Sequence, residues 1–100
     1  GVSLECFQSN HEGALIDKLH ENIDRVQGAL VNPAGLTQHG VPLHDAIKGT
    51  GVPVIELHIS NVHAREAFRH HSYLSPAARG IIVGLGVAGY ALAIRALADL

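Results

Sequence analysis

Glu56-Leu57-His58-Ile59-Ser60-Asn61-Val62-His63-Ala64-Arg65 is the stretch on which the fold turns, because an apolar strand runs directly into acid-base and hydrogen-bonding side chains. With Val52 to Ser60 extended, a period of two sets Glu56, His58 and Ser60 on one side and Ile55, Leu57 and Ile59 on the other. One side packs and the other is free for chemistry, as in a site built at the end of a sheet.

Upstream, Gly28 to Val31 is a second short apolar strand. It ends in Asn32-Pro33-Ala34-Gly35, which must turn because Pro33 restricts both itself and Asn32. Pro42 can open a helix with Leu43, Ala46 and Ile47 as its apolar stripe, ended by Gly49-Thr50-Gly51. Ser9-Asn10-His11-Glu12 reads as a capping box for a helix bearing Leu15, Ile16, Leu19 and Ile23, and Val2 to Ser9 alternates as a half-buried edge strand would. Downstream, Asn61 is placed to cap a helix through about His71, Ser72 to Pro76 is loop, Gly80 to Val83 is another apolar strand, and Tyr90 to Leu100 closes as a helix. Strands alternating with helices, and apolar throughout, predict a parallel sheet covered on both faces, an open doubly wound α/β fold. Ligands gather beyond the carboxyl ends of such strands, where Asn32 and His58 both fall.

One hundred residues with 47% hydrophobic side chains suffice for a single domain over 1–100. A net charge of -2 and 4% aromatics provide neither a basic field nor a stacking platform for nucleic acid. Cys6 is the only cysteine, which excludes an internal disulfide and a thiolate-rich metal site and fits a reducing cytoplasm. No secretory signal pattern is visible, and the longest uncharged stretch, Gly80 to Ile94, is shorter than the roughly 18 apolar residues of a membrane span. A soluble protein that does not engage the membrane is expected.

A Glu56–His58 pair would fix the imidazole's tautomer and suit it to give or take a proton near neutral pH; a polar pair facing water is the plainer alternative. Asn32 and the backbone N–H groups after it could hold an oxyanion, or the segment could be an ordinary strand-to-helix turn. Arg65 and Arg69, at i and i+4, could clamp a carboxylate, though Glu66 and solvent give them a surface role. Gly84-Leu85-Gly86-Val87-Ala88-Gly89 matches G-x-G-x-x-G, but that fingerprint needs a further strand and an acidic residue about 20 positions on, which the residues to Leu100 do not supply. Close packing of the last helix on the sheet is the expected role of these glycines. The histidines form no H-E-x-x-H, and neither His39 and His44 nor His58 and His63 share a helical face, so no metal or cofactor is expected. Cys6 reads as packing, and nothing local distinguishes Tyr73 or Tyr90.

Asn32-Pro33-Ala34-Gly35-Leu36-Thr37, Asp45-Ala46, the run from Glu56 to Glu66, Phe68-Arg69, Ser72-Tyr73-Leu74-Ser75-Pro76 and Gly84 to Tyr90 together resemble, in the same order, the type II 3-dehydroquinate dehydratase family of the shikimate pathway. The resemblance implies a flavodoxin-like sheet of order 2-1-3-4-5. It also implies a lyase that converts 3-dehydroquinate to 3-dehydroshikimate by metal-free anti elimination of water through an enolate, and assembly as a homo-dodecamer, a tetramer of trimers. Carried over, it makes His58 the general acid, Glu56 its orienting partner and Asn32 the holder of the water or group that stabilises the enolate. Ile59 and Ser60 would bind the substrate carboxylate, Arg69 a ring hydroxyl, and Asp45 would reach toward a neighbouring subunit's site. Gln38, counted with the substrate-binding residues, stands where the family usually has a histidine, with His39 one place later.

The family's first strand, its mobile lid with an arginine and the tyrosine base, and its first helix have no counterpart here. In the implied order that strand would be central, and buried open edges cost on the order of 1 to 3 kcal/mol per unpaired group. The chain is therefore expected to be part of a longer product, with about fifty residues before Gly1, or to have a companion segment that supplies the strand. A flavodoxin-like domain that binds small anions without reaction is the alternative function, and an assembly subunit whose sheet only scaffolds contacts is a third.

Overall fold

The computed structural model describes all 100 residues, Gly1–Leu100. Three parallel strands, β1 (Ala29–Val31), β2 (Val54–His58) and β3 (Gly80–Val83), form a sheet in the order β1-β2-β3. Val31 lies opposite Glu56 and His58 opposite Val83, so Asn32, directly after β1, comes level with the last residues of β2. The central strand is buried along its whole length, as parallel strands covered on both faces are. Val54 points into a cluster with Leu43, Ile47 and Leu74, each 1 or 2% exposed. Burying side chains of this kind stabilises the fold by about 1.5–3 kcal/mol apiece.

Leu43 and Ile47 come from α2 (Val41–Thr50), on which α1 (Glu12–Glu21) packs. The opposite face of the sheet is covered by α3 (Ala88–Ala98), where Gly89 sits against Leu57. The doubly wound α/β arrangement expected from the alternation of elements is thus present, and no helix is long and apolar enough to cross a membrane.

Four expectations are corrected. Val2 to Ser9 forms no strand; it is an arm without regular secondary structure, with Val2, Leu4, Cys6 and Phe7 exposed, so Cys6 does not serve packing, and it is held by Glu5 to Lys18 at 2.6 Å. Alternation alone does not make a strand when no neighbour supplies a ladder. The capping box is absent as well. His11 precedes α1, the Ser9 hydroxyl accepts from the His11 N–H, and Glu12 instead accepts from the Leu43 N–H at 3.1 Å, satisfying an orphan donor in the first turn of α2. Third, Asn61 does accept from the His63 N–H, but it caps only a 3-10 turn, Val62–Ala64. Extended residues Arg65 and Glu66 then separate it from a second 3-10 turn, Ala67–His70, so no α-helix spans this region. Fourth, the polar side of β2 is not open: Glu56 is 1% and His58 7% exposed, and the loop around Leu74 folds over Glu56 through Ser72 and Ser75.

Candidate functional site

His58, at the end of β2, contacts Glu56 Oε2 through Nε2 at 2.5 Å, which leaves Nδ1 as the ring nitrogen available to a ligand. Both oxygens of Glu56 are engaged. Ser72 Oγ donates to Oε2 at 2.9 Å and Ser75 Oγ to Oε1 at 2.7 Å. Burial pushes the Glu56 carboxyl up, but the hydrogen bonds from His58, Ser75 and Ser72 outweigh it and hold the group below the usual carboxylate range. The result is an imidazole with a charged, immobile partner behind it.

Asn32, at the end of β1, is exposed and differently held. Its Oδ1 accepts from the Ala34 N–H at 3.2 Å and its Nδ2 donates to the Tyr90 hydroxyl at 2.9 Å, which fixes the orientation of the amide and leaves one N–H of Nδ2 uncommitted. Ala34 has φ of +48°, a left-handed conformation that is strained for any residue with a Cβ. The 3-10 turn Ala34–Gln38 follows, and its Thr37 carbonyl accepts from the Tyr73 N–H at 2.9 Å, tying the turn after β1 to the loop that covers Glu56.

These two strand tips share one cavity of about 270 Å³, lined among others by Asn32, Gln38, His58, Ile59, Ser60, Arg65 and Arg69. Both arginines face it although no α-helix aligns them; the break at Arg65 and Glu66 brings them round instead. Arg65 reaches Ser60 Oγ at 3.4 Å, and Glu66 lies 3.2 Å from Arg69 and 3.6 Å from Arg65. The Glu66 carboxyl is held below the usual range first by its own backbone N–H and then by Arg69, so an anion entering the cavity would compete with Glu66 for the guanidinium. Two arginines beside an imidazole, an amide and a hydroxyl suit a small polyhydroxylated carboxylate. Asp45 is not among these residues. It lines a separate surface cavity of about 420 Å³ with Val41, His44, His71, Ser72, Tyr73 and Pro76.

The glycine-rich segment serves the site without lining the cavity. Gly84 and Gly86, at φ of +84° and +65°, donate their N–H groups to the carbonyls of His58 and Ile59, each at 3.0 Å, and so fix the backbone at the tip of β2. Sequence reading missed Ser72, Ser75 and Tyr90. The serines stand 16 and 19 residues from Glu56 and Tyr90 stands 58 from Asn32, distances at which no periodicity carries a signal.

Residues 1–98 match the family described as dehydroquinase class II. The chain is 66% identical over 102 residues to the 3-dehydroquinate dehydratase of Variovorax paradoxus (strain S110), covering 97% of this chain and 70% of that protein. It is 55% identical over 98 residues to catabolic 3-dehydroquinase 1 of Aspergillus terreus (strain NIH 2624 / FGSC A1156), covering 98% and 64%. Among solved structures, the type II dehydroquinase from Butyrivibrio crossotus DSM 2876 superimposes with a TM-score of 0.90 at 44% identity, over 94% of this chain and 66% of that one. The chain thus spans between 64 and 70% of the length of these proteins.

Proposed function

The chain belongs to the dehydroquinase class II family, and on that footing we propose that it carries the acid half of a 3-dehydroquinate dehydratase, eliminating water through an enolate to give 3-dehydroshikimate. The single observation that carries this reading is the meeting of His58, backed by buried Glu56, with Asn32, Gln38, Ser60 and Arg69 around one polar cavity at two neighbouring strand ends. The substrate carboxylate is received by Ser60 and the backbone at Ile59, and Arg69 and Gln38 bond the ring hydroxyls. Proton removal generates the enolate, whose oxygen is stabilised through the free Asn32 N–H, directly or through water. His58 then gives its proton to the departing hydroxyl, which leaves as water. With Nε2 committed to Glu56, that proton leaves from Nδ1, so the imidazolium is the donor and Glu56 compensates its charge.

No tyrosine lines the cavity, and the Tyr90 hydroxyl accepts from Asn32, so the tyrosine base that the family resemblance implies is not assigned to a residue of this chain. Assembly follows the same reading. Asp45 lies away from the cavity, beside His44 and Tyr73, and in a homo-dodecamer, a tetramer of trimers, it would reach toward a neighbouring subunit's site. A cytoplasmic setting fits the lone Cys6, which is free and exposed.

The test is incubation of the full-length protein with 3-dehydroquinate, following the ultraviolet absorbance of the conjugated enone. Turnover that His58→Ala abolishes, in a variant that still folds and binds, is the expected result. No rise in absorbance would overturn the dehydratase reading, and saturable binding without turnover would favour an anion-binding domain.

A further inference from the structure

We propose that Ser72 and Ser75 are positioning residues of the acid, two hydroxyls that hold both oxygens of Glu56 so that its carboxylate stays fixed and aimed at the His58 ring; this rests on the reading of His58 as proton donor. The hydrogen-bond directions are set by what surrounds Ser72. Its Oγ accepts from the N–H groups of Leu74 and Ser75, at 3.0 and 3.1 Å, so its own proton is left for Glu56 Oε2. Ser75 Oγ makes one contact, to Oε1. Between them Leu74, 1% exposed, is driven into the core with Leu43, Ile47 and Val54, which anchors both serines beneath the strand.

A carboxylate 1% exposed with a single imidazole contact would leave most of its lone pairs empty, and it could relieve that by rotating or by taking a proton. Either change would cost His58 its orientation and its charge partner. His58 is the titratable group in contact with the Glu56 carboxylate; the serines supply the remaining donors. The pair therefore acts on the reaction through Glu56 and touches no substrate, as partners one shell out from a reactive ring commonly do.

Ser75→Ala is the clean variant, because its hydroxyl has no other partner, whereas Ser72→Ala also strips an acceptor from two backbone N–H groups. With carboxyl-labelled glutamate, the Glu56 resonance in the 100-residue chain is expected to titrate at higher pH in each alanine variant and near wild type in Ser75→Thr. In the full-length protein, Ser75→Ala is expected to lower kcat by about tenfold or more, as loss of an outer partner of a reactive group does, with KM changed less than about twofold and the acid limb of kcat moved to higher pH. A folded Ser75→Ala whose Glu56 titration and His58 ring-nitrogen shifts match wild type overturns the proposal, even if its melting temperature falls. Absence of turnover in the wild-type protein would count against the dehydratase reading alone, since the carboxyl titration decides the serines' role without substrate.

Discussion

The two strand tips that share the cavity are held by opposite means. At the end of β2, His58 is 7% exposed and rests on a carboxylate that is 1% exposed and accepts from three side chains. At the end of β1, Asn32 is exposed, held by one backbone N–H and one phenol, and followed by a residue at positive φ. Burial makes the first tip rigid and costly to disturb. The second tip is held by contacts that water can replace, so disturbing it costs less.

Glu56→Ala should break the buried tip outright. It leaves two serine hydroxyls and the His58 ring without their acceptor at a position that is 1% exposed, and removal of one member of such a buried network costs about 3–5 kcal/mol. Urea denaturation should show that loss in full; a destabilisation below about 1 kcal/mol would mean that the network closes over the gap or that water enters. Gly89→Ala tests how the exposed tip is positioned. A methyl group there would stand 2.7 Å from Leu57 Cδ1 and 3.3 Å from Ile82 Cγ2, so either the Leu57 side chain turns aside or α3 lifts, and lifting carries the next residue, Tyr90, away from Asn32. Overpacking of this kind costs about 1–3 kcal/mol, and the Asn32 side-chain amide resonances should move if the phenol withdraws.

Much of this architecture was legible in the sequence. The apolar runs Gly28 to Val31 and Gly80 to Val83 gave strands at nearly the observed bounds, and the Leu43, Ala46, Ile47 stripe gave α2. Periodicity reports a segment's own face, so it located Asn32 and His58 at strand ends, and of the glycine motif expected to pack the last helix on the sheet only Gly89 does so, Gly84 and Gly86 serving turns at positive φ. It could not report what lies across the fold. The lid of Ser72, Leu74 and Ser75 over Glu56 exists because Leu74 docks in the core, and the break at Arg65 and Glu66 replaces a helix that local propensity favours. The arm at Val2 to Ser9 failed for the converse reason: its alternation is real, but a strand is a property of two segments.

Acid should sharpen the contrast further, with a smaller effect. The Glu56 carboxyl is depressed in the fold below its ordinary value of 4.5, so the unfolded chain takes up its proton first as the pH falls. Its contribution to stability is complete above that ordinary value and is lost as the pH drops through the folded value. Wild type should therefore lose stability on acidification below about pH 4.5, and Glu56→Gln, less stable at neutral pH, should lose less over the same interval. Urea midpoints measured across that range check the sign. Equal slopes in the two proteins would place the acid sensitivity elsewhere.

Tyr90→Phe is the mildest change and isolates the exposed tip. The hydroxyl it removes has Asn32 as its partner, and water can take its place at an exposed amide, so stability should fall by no more than about 0.5 kcal/mol. The Oδ1 contact to the Ala34 N–H remains, so the amide keeps its orientation while its Nδ2 gains freedom. The two Asn32 Nδ2 protons should then exchange with solvent faster and resonate closer together, while the His58 ring nitrogens stay where they are in the wild-type protein. If the His58 signals moved as much as those of Asn32, the tips would be coupled through the tie between Thr37 and Tyr73, and the buried tip would not be independent of the exposed one.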